Sequence, residues 1–419
     1  MKRKGLRSKM FREWFGRKNE EDKDQRSDSW EELMDDGCGM AQETGSCTSS
    51  AELRIFVGTW NVGGRSPLGS LAVDLDEWLN LKNGADMYVL GFQEIVPLKT
   101  RNVIGLENKK EERNWNLLIG KALNYRYGCP WLTPRLTHNI SSSPRAGNLK
   151  RERSRTRDEN LLVESKYKLL ASKKMVGVFL SVWIRNEVLR RFQVSDLRFC
   201  SVACGLMGCL GNKGSVSISM SIEGTRFCFI AAHLASGEKK GDEGRRNNQV
   251  LEIFRRTRFP KSSKGDRGSL TILGHDRIFW FGDLNYRLCL DDDLARRLVQ
   301  KQDWKALQRF DQLREEQGEG GVFQGWKEGG IEFPPTYKYC SSNFDRYSGG
   351  VASRVGEKQR TPAWCDRILC YGKGLKQLSY SRSESRFSDH RPVYALFSTH
   401  IEVLDHKKPS VTPFAEYAS

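Results

Sequence analysis

The sequence predicts an α+β domain in which strands of a packed sheet alternate with amphipathic helices. Residues 278–281 are four bulky apolar residues in a row, which is typical of a strand buried on both faces. Apolar side chains recur at helical spacing in 70–80 and in 243–258. From residue 174 onward, apolar or alternating runs of strand length become frequent. Together these patterns indicate one folded core built from both kinds of element.

The first part of the predicted domain contains two strands and two helices. The strands cover 54–61 and 87–94, and the helix over 70–80 lies between them. A second helix is predicted around 115–123, where apolar residues share one face. Residues 138–160 are rich in Ser, Arg, Gly and Asn, so we expect a flexible basic insertion there.

The second part is predicted to be mostly β. Further strands are expected over 175–184, 214–222, 227–232, 278–281, 368–371 and 393–397. Residues 291–316 are predicted as one long helical stretch whose inward-facing side chains are Leu294, Leu298, Trp304, Leu307 and Leu313. Residues 317–362 are rich in Gly, Ser and Pro and are expected to form loops.

We expect three regions along the chain. Residues 1–50 form a basic tail whose composition is typical of disorder, 53–400 form one domain, and 401–419 form a C-terminal tail. The start of the tail mixes Lys and Arg with aromatic residues. Three interpretations stay open for it: a membrane-surface helix, a nuclear-import patch, or a solvated tail without a role.

Composition narrows the partners and the compartment. The 419 residues carry a net charge of +17, which favours acidic partners such as nucleic acid, anionic membrane or a polyphosphate. The 11 cysteines contain no paired CxxC elements, so we expect reduced thiols and no zinc site. Neither a signal peptide nor a run near the ~20 apolar residues of a membrane span is present. A cytoplasmic or nuclear protein, at most peripherally bound to a membrane, is expected.

Polar side chains stand where predicted strands end or begin. Strands end at Asn61, at Glu94, at His233, and at the pair Asp283 and Asn285. Two later strands begin just after Asp366 and just after Asp389 and His390. Strand ends of this kind can converge on one rim of a packed sheet fold.

Acids, amides and imidazoles on one rim suit metal-assisted phosphoryl hydrolysis. Hard oxygen ligands favour Mg²⁺, and a carboxylate can position the attacking water. Each residue also has a simpler interpretation. Glu94 could cap a strand, His233 and His390 could be structural, and Asp366 could form a plain ion pair with Arg367. The coincidence of all of them at strand ends favours the site.

These residues lie in segments that resemble the inositol polyphosphate 5-phosphatase family, in a single-domain form. That family belongs to the endonuclease/exonuclease/phosphatase superfamily. The matching segments, in order, are GTWN at 58–61, FQE at 92–94, AHL at 232–234, FGDLNYR at 281–287, PAWCDR at 362–367 and SDHRP at 388–392. The resemblance implies a four-layer α/β/β/α sandwich, with two packed mixed β-sheets flanked by helices, and one Mg²⁺-dependent site.

The resemblance also implies roles around the metal and the attacking water. Glu94 would be the main Mg²⁺ ligand, with Asn61 beside it. Asp283 would activate the water, and Asn285 would hold that water or the phosphate. These assignments are expectations carried over to the matching positions of this sequence.

Further roles follow for the phosphate itself. His390 would donate a hydrogen bond to the scissile phosphate and would be oriented by Asp366. Asp389 would lie near the metal, and His233 would contact phosphate near the leaving group. The phosphate next to the one removed would be bound by Tyr337, Lys338, Lys358 and Arg360. Asn212 and Lys213, which are flanked by glycines, would face the 1-phosphate side.

The expected function is therefore a Mg²⁺-dependent phosphatase. It would remove the 5-phosphate from inositol polyphosphates, phosphoinositides or both, such as inositol 1,4,5-trisphosphate and phosphatidylinositol 4,5-bisphosphate. We expect a monomer that binds no nucleic acid and contacts anionic membrane only through its basic segments. Two alternatives are a nuclease with the same metal site and a non-catalytic phosphoinositide-binding protein. The intact set of site residues argues against the second.

Overall fold

A computed structural model describes residues 48–67, 72–98, 109–124, 165–205, 208, 210–260, 270–340, 343–350 and 357–404. The predicted insertion at 138–160, nearly all of the tail at 1–50 and most of the tail at 401–419 lie outside these residues. The described part contains two β-sheets packed face to face with helices outside them, which confirms the predicted α+β sandwich.

The first sheet has six strands in the order β12-β13-β1-β2-β4-β3. Within it, β1 and β2 run parallel, and the other neighbours are antiparallel. Its strands are β1 (Thr48–Asn61), β2 (Met87–Gln93), β3 (Tyr167–Met175), β4 (Val178–Arg185), β12 (Leu375–Arg382) and β13 (Val393–Leu404). Because Thr48 pairs with Leu404, strand pairing extends past both limits of the predicted 53–400 domain.

The second sheet has five strands in the order β11-β8-β7-β6-β5. Here β7 and β8 run parallel. The strands are β5 (Val194–Ala203), β6 (Gly214–Ile222), β7 (Thr225–His233), β8 (Arg277–Asp283) and β11 (Asp366–Gly372). A short hairpin of β9 (Tyr339–Cys340) and β10 (Asn343–Tyr347) stands apart from both sheets.

The described α-helices pack either on the outer faces of the sheets or against the core between them. They are α1 (Ala72–Trp78), α2 (Lys110–Asn124), α3 (Asn186–Arg191), α4 (Asp242–Arg256), α5 (Asp292–Gln300), α6 (Trp304–Gln308) and α7 (Gln312–Glu316). No described helix is both long enough and apolar enough to cross a membrane.

Three apolar clusters hold the four layers together. The central cluster lies between the sheets and includes Val57, Phe229 and Phe281. The other two clusters bury the apolar faces of the outer helices. One packs α1 and α2 on the first sheet, and the other packs α4 on the second. The buried strand predicted at 278–281 is confirmed, because all of its side chains are fully covered.

Two expectations about local structure were wrong. The stretch 291–316 forms three short helices, because the carboxylates of Asp303 and Asp311 accept hydrogen bonds from backbone N–H groups and start new helices. Leu294, predicted to face inward, is exposed. Strands β5 and β12 were not predicted. The same holds for β3, since the strand predicted over 175–184 corresponds to β4. All three are edge strands with mixed burial and therefore lack the apolar run that identifies a buried strand.

A buried histidine just before β8, at the opposite end of that strand from Asp283, gives the fold a pH dependence. His275 is almost fully covered, and its Nε2 lies 2.8 Å from the Ser219 hydroxyl. Burial lowers the pKa of His275 to about 4. In the unfolded chain this histidine has its ordinary pKa of 6.5, so between pH 6.5 and pH 4 it is protonated in the unfolded chain but not in the folded protein. Stability therefore falls as the pH drops below 6.5.

From this residue we expect a loss of about 2 kcal/mol between pH 7 and pH 5. Denaturant unfolding of the wild type and of His275→Gln, which cannot titrate, would measure it. The free energy of unfolding should fall less steeply in the variant over this window. Parallel pH profiles would show that His275 is not responsible.

Candidate active site

Strand ends from both sheets meet at one edge of the sandwich. In the first sheet, the parallel register pairs Asn61 at the end of β1 with Gln93 at the end of β2. In the second sheet, His233 at the end of β7 pairs with Asp283 at the end of β8. The start of β11 joins them, because Asp366 pairs with Asp283. The predicted convergence of polar strand ends is therefore present.

Asp283 lies at the centre of this cluster. Its Oδ2 accepts a hydrogen bond from Asn61 Nδ2 at 2.9 Å and lies 3.2 Å from His233 Nε2 and 4.0 Å from His390 Nε2. The carboxylate is buried, and its Oδ1 has no partner among the described residues. Burial would raise the pKa of Asp283, but His390 and His233 outweigh burial and hold the pKa below its ordinary value.

A glycine fixes the direction of Asp283. Gly282 has φ +145°, and a Cβ there would lie 1.9 Å from the carbonyl oxygen of Ala232 on the neighbouring strand. Only glycine can hold β8 this close to β7 just before the carboxylate. Leu284, the next residue after Asp283, points away into the cluster beneath α4, as side-chain alternation along a strand requires.

Glu94 forms the more open side of the cluster. Its Oε1 lies 3.4 Å from Asn61 Nδ2 and 3.8 Å from His233 Nε2. Its side chain is 28% exposed, in contrast to the buried Asp283. The backbone at Glu94 is left-handed, with φ +56°, and its carbonyl accepts a hydrogen bond from Gly64. A non-glycine residue held in this region is strained, which is common at functional sites.

Asn285 turns the chain at the other side of Asp283. It too is left-handed, with φ +57°. Its Nδ2 donates to the Leu234 carbonyl at 3.1 Å, and its Oδ1 accepts from Arg287 Nη2 at 2.6 Å. The buried Arg287 guanidinium therefore fixes the orientation of the Asn285 side-chain amide. The strand alternation did not predict this contact.

His390 and Asp366 form a buried ion pair. His390 Nδ1 lies 2.8 Å from Asp366 Oδ2, which also accepts from the Thr336 hydroxyl at 2.7 Å. Burial would lower the pKa of His390, but Asp366 and Asp283 raise it to about 9. The imidazole is therefore a cation at neutral pH, with Nε2–H on the side of Asp283. Thr336, which sequence reasoning did not assign, fixes the orienting carboxylate.

Lys213 reaches deeper into the cluster than its glycine-flanked loop suggested. Its Nζ contacts Nε2 of His233. Burial lowers the pKa of Lys213 to about 8, although Asp283 and Glu94 oppose the shift. The neighbouring Asn212 has a buried Oδ1 without a partner among the described residues.

Tyr337 and Lys338 cover the site from the side of His390. The centres of the Tyr337 ring and the His390 imidazole are 4.4 Å apart. The Arg287 guanidinium lies 4.7 Å from the centre of the Tyr337 ring. Lys338 is paired with the carboxylate of Asp389. Asp389 also accepts from the Ser388 hydroxyl at 3.2 Å. The Asp389 carboxylate is therefore held between Lys338 and the Ser388 hydroxyl.

Arg360 reaches the rim beside Glu238. Its Nη1 is 3.2 Å from Glu238 Oε1, and the other oxygen of Glu238 is 4.0 Å from Arg287. Glu238 was not singled out by the sequence, and no local pattern marks it. Lys358 is exposed, and its backbone carbonyl accepts a hydrogen bond from Ser348. The structure thus places Arg360 beside the cluster through Glu238 and gives Lys358 no side-chain contact with the cluster.

The alternative of a plain Asp366–Arg367 ion pair is wrong. The two side chains point to opposite faces of β11. Arg367 is buried against Asp311 at 2.7 Å and Glu328 at 2.6 Å, whereas Asp366 faces His390. Strand alternation explains the separation.

The donor set fits a hard divalent cation. The ligand atoms of Asp283, Asp366 and His390 lie within 4.8 Å of one another. However, His390 and Asp366 are hydrogen-bonded to each other, and both side chains are buried, which makes them less suitable as metal ligands. Asn61 contacts the other carboxylate oxygen, Oδ2 of Asp283, and links it to Glu94, whose side chain is partly open to solvent. An ion that keeps several waters is better accommodated on that open side.

The chain is similar to known proteins over most of its length. Residues 58–396 match the model of endonuclease/exonuclease/phosphatase family 2. Type I inositol polyphosphate 5-phosphatase 8 of Arabidopsis thaliana is 50% identical, covering 86% of this chain and 74% of that protein. Type I inositol polyphosphate 5-phosphatase 4 of the same plant is 44% identical, and the match covers 84% of this chain and 78% of that protein.

Solved structures support the same grouping. The inositol polyphosphate 5-phosphatase domain of SPsynaptojanin, in complex with inositol (1,4)-bisphosphate and a calcium ion, matches with a TM-score of 0.63 and 29% identity. That match covers 85% of this chain and 87% of that domain. Cimex nitrophorin, at 20% identity and a TM-score of 0.52, shares the fold alone. The family model and the relatives agree with the cluster of polar residues at the strand ends. The chain belongs to the inositol polyphosphate 5-phosphatase family.

Proposed function

We propose that this protein is a Mg²⁺-dependent phosphatase that removes the 5-phosphate from inositol polyphosphates and phosphoinositides. Its substrates would include inositol 1,4,5-trisphosphate and phosphatidylinositol 4,5-bisphosphate. The observation that carries the proposal is the cluster around Asp283, where a carboxylate, an amide and two imidazoles from four chain segments meet. The relative solved with inositol (1,4)-bisphosphate and calcium supports it.

Glu94 and Asn61 are the residues that would hold the metal. When bound, a divalent ion supplies positive charge that polarises a phosphoryl oxygen and offsets the charge that develops there. Glu94 Oε1 lies 3.4 Å from Asn61 Nδ2, and Asn61 would offer the metal its other amide atom, Oδ1. Mg²⁺ is the preferred ion because the donors are oxygens and the site is open on one side.

Asp283 and His390 would act on the water and on the phosphate. Asp283 is ionised at neutral pH, because its pKa lies below the ordinary value, and it can accept a hydrogen bond from the attacking water. His390, as a cation, can donate from Nε2 to a phosphoryl oxygen, while Asp366 fixes its ring. Asn285 is held by Arg287 in a position to bind the same water or phosphate.

The remaining residues would select the substrate. His233, which contacts Lys213 at the end of β7, would contact phosphate near the leaving group. Tyr337, Lys338 and Arg360 line the rim and would bind the phosphate next to the one removed, with Lys358 further out. Asn212 would face the far side of the ring. The protein would act as a monomer, with its basic segments supplying any contact with anionic membrane.

A side-by-side assay tests the proposal. Purified protein at fixed Mg²⁺ is given inositol 1,4,5-trisphosphate, vesicles containing phosphatidylinositol 4,5-bisphosphate, and supercoiled plasmid DNA. Phosphate release from one or both of the first two, without nicking of the plasmid, is expected. Nicking without phosphate release would favour the nuclease, and binding of the vesicles without turnover would favour a non-catalytic protein.

A further inference from the structure

Arg296 lies on α5, in none of the segments expected to bind substrate, yet it holds the backbone carbonyls of Arg360 and of Ser348. Its Nη2 donates to the carbonyl oxygen of Ser348 at 2.7 Å and to that of Arg360 at 2.9 Å. On its other side, Nε donates to Asp292 one turn earlier on the helix at 2.8 Å. A guanidinium has a fixed planar fork of donors, so these bonds set the position of both carbonyls.

The backbone packs directly on this guanidinium. Gly349 has φ +86°, and a Cβ there would lie 2.9 Å from Arg296 Nη2. A larger residue would therefore push the chain off the arginine. Two further hydrogen bonds join the segment at 348–349 to the segment at 357–358. Ser348 Oγ donates to the Lys358 carbonyl at 2.7 Å, and the Gly349 N–H donates to Glu357 Oε1 at 3.0 Å.

The anchored backbone carries Arg360 to the rim. The Arg360 carbonyl is held by Arg296, while its guanidinium, 34% exposed, lies 3.2 Å from Glu238. An exposed ion pair of this kind fixes a side chain only weakly. The position of the Arg360 guanidinium therefore depends mainly on where its backbone is held.

We propose that Arg296 is a positioning residue for substrate selection. It touches no substrate; it fixes the backbone of Arg360 so that the guanidinium meets the phosphate next to the one removed. The inference rests on the proposed function. A side chain that is already held in its binding position binds more tightly, because less conformational entropy is lost on binding. Loss of the hydrogen bond from Arg296 to the Arg360 carbonyl therefore weakens substrate affinity and leaves the chemical step unchanged.

The test compares two soluble substrates that differ by one phosphate: inositol 1,4,5-trisphosphate and inositol 1,5-bisphosphate. For Arg296→Gln, KM for the trisphosphate should rise about tenfold with kcat unchanged, which corresponds to the loss of one good hydrogen-bonded contact. KM for the 1,5-bisphosphate should stay the same. The matched control is Arg297→Gln, the exposed next residue on the helix, which should change neither value.

Arg360→Gln supplies the reference, since it should show the same selective rise. If Arg360→Gln is selective and Arg296→Gln is not, Arg296 has no positioning role while the proposed function stands. An equal change for both substrates, or a fall in kcat, would also overturn the role. If the wild type hydrolyses neither compound, the proposed function itself fails. Should Arg296→Gln not fold, Arg296→Lys, which keeps the charge without the fork, must show a selective rise in KM.

Discussion

Asp283→Asn should lower kcat for inositol 1,4,5-trisphosphate by about 10²–10⁴-fold and leave the fold intact. The substitution keeps the shape of the side chain but removes the charge that Asn61, His233 and His390 all face. The amide can no longer accept from the attacking water as strongly, and the raised pKa of His390 loses one of its causes. Steady-state phosphate release at saturating substrate measures the effect.

The matched control is at the other end of the same strand. Asp276 directly precedes β8 and accepts a hydrogen bond from the Arg226 N–H, far from the cluster. Asp276→Asn removes an identical charge and should leave kcat unchanged. If Asp283→Asn retains wild-type kcat, then Asp283 does not handle the attacking water.

Arg367→Met should destabilise the protein by about 3–5 kcal/mol, because it leaves two buried carboxylates without their cation. The guanidinium contacts Asp311 at 2.7 Å and Glu328 at 2.6 Å, and the Tyr380 hydroxyl donates to Glu328 at 2.8 Å. These residues join β11, the segment before α7, the loop at 328 and β12. Denaturant unfolding, with equal slopes for both proteins, measures the loss.

Two further variants separate the buried charge from arginine loss in general. Arg309→Met, on the exposed surface nearby, should change the free energy of unfolding by no more than about 0.5 kcal/mol. Arg367→Met combined with Asp311→Asn and Glu328→Gln removes all three charges, keeps an acceptor for Leu313 N–H and for the Tyr380 hydroxyl, and should recover most of the stability. A single Arg367→Met protein as stable as the wild type would contradict the account of this network.

The site could be predicted because its residues carry local signals. Asn61, Glu94, His233 and Asp283 each follow an apolar strand, and parallel pairing then brings such ends together. The same reasoning predicted the strands themselves, since a buried strand must be apolar on both faces. Asp366 and His390 were also identifiable, as polar residues directly before strands.

The rest depends on contacts between distant segments, which leave no local pattern. Glu238, Arg296 and the partners of Arg367 look like ordinary surface charges in the sequence. Only the fold brings Arg296 to Arg360, 64 residues away. Edge strands β3, β5 and β12 were missed for a related reason, because their half-exposed side chains do not form an apolar run.

The position of the phosphate removed tests the central claim most directly. Inositol 1,4,5-trisphosphate can be followed by ³¹P NMR with the protein and Mg²⁺, and again with a chelator in excess. The account predicts that the 5-phosphate resonance alone disappears as inorganic phosphate forms, and that the chelator stops the reaction. Loss of the 1- or 4-phosphate, or undiminished hydrolysis with the chelator, would contradict it.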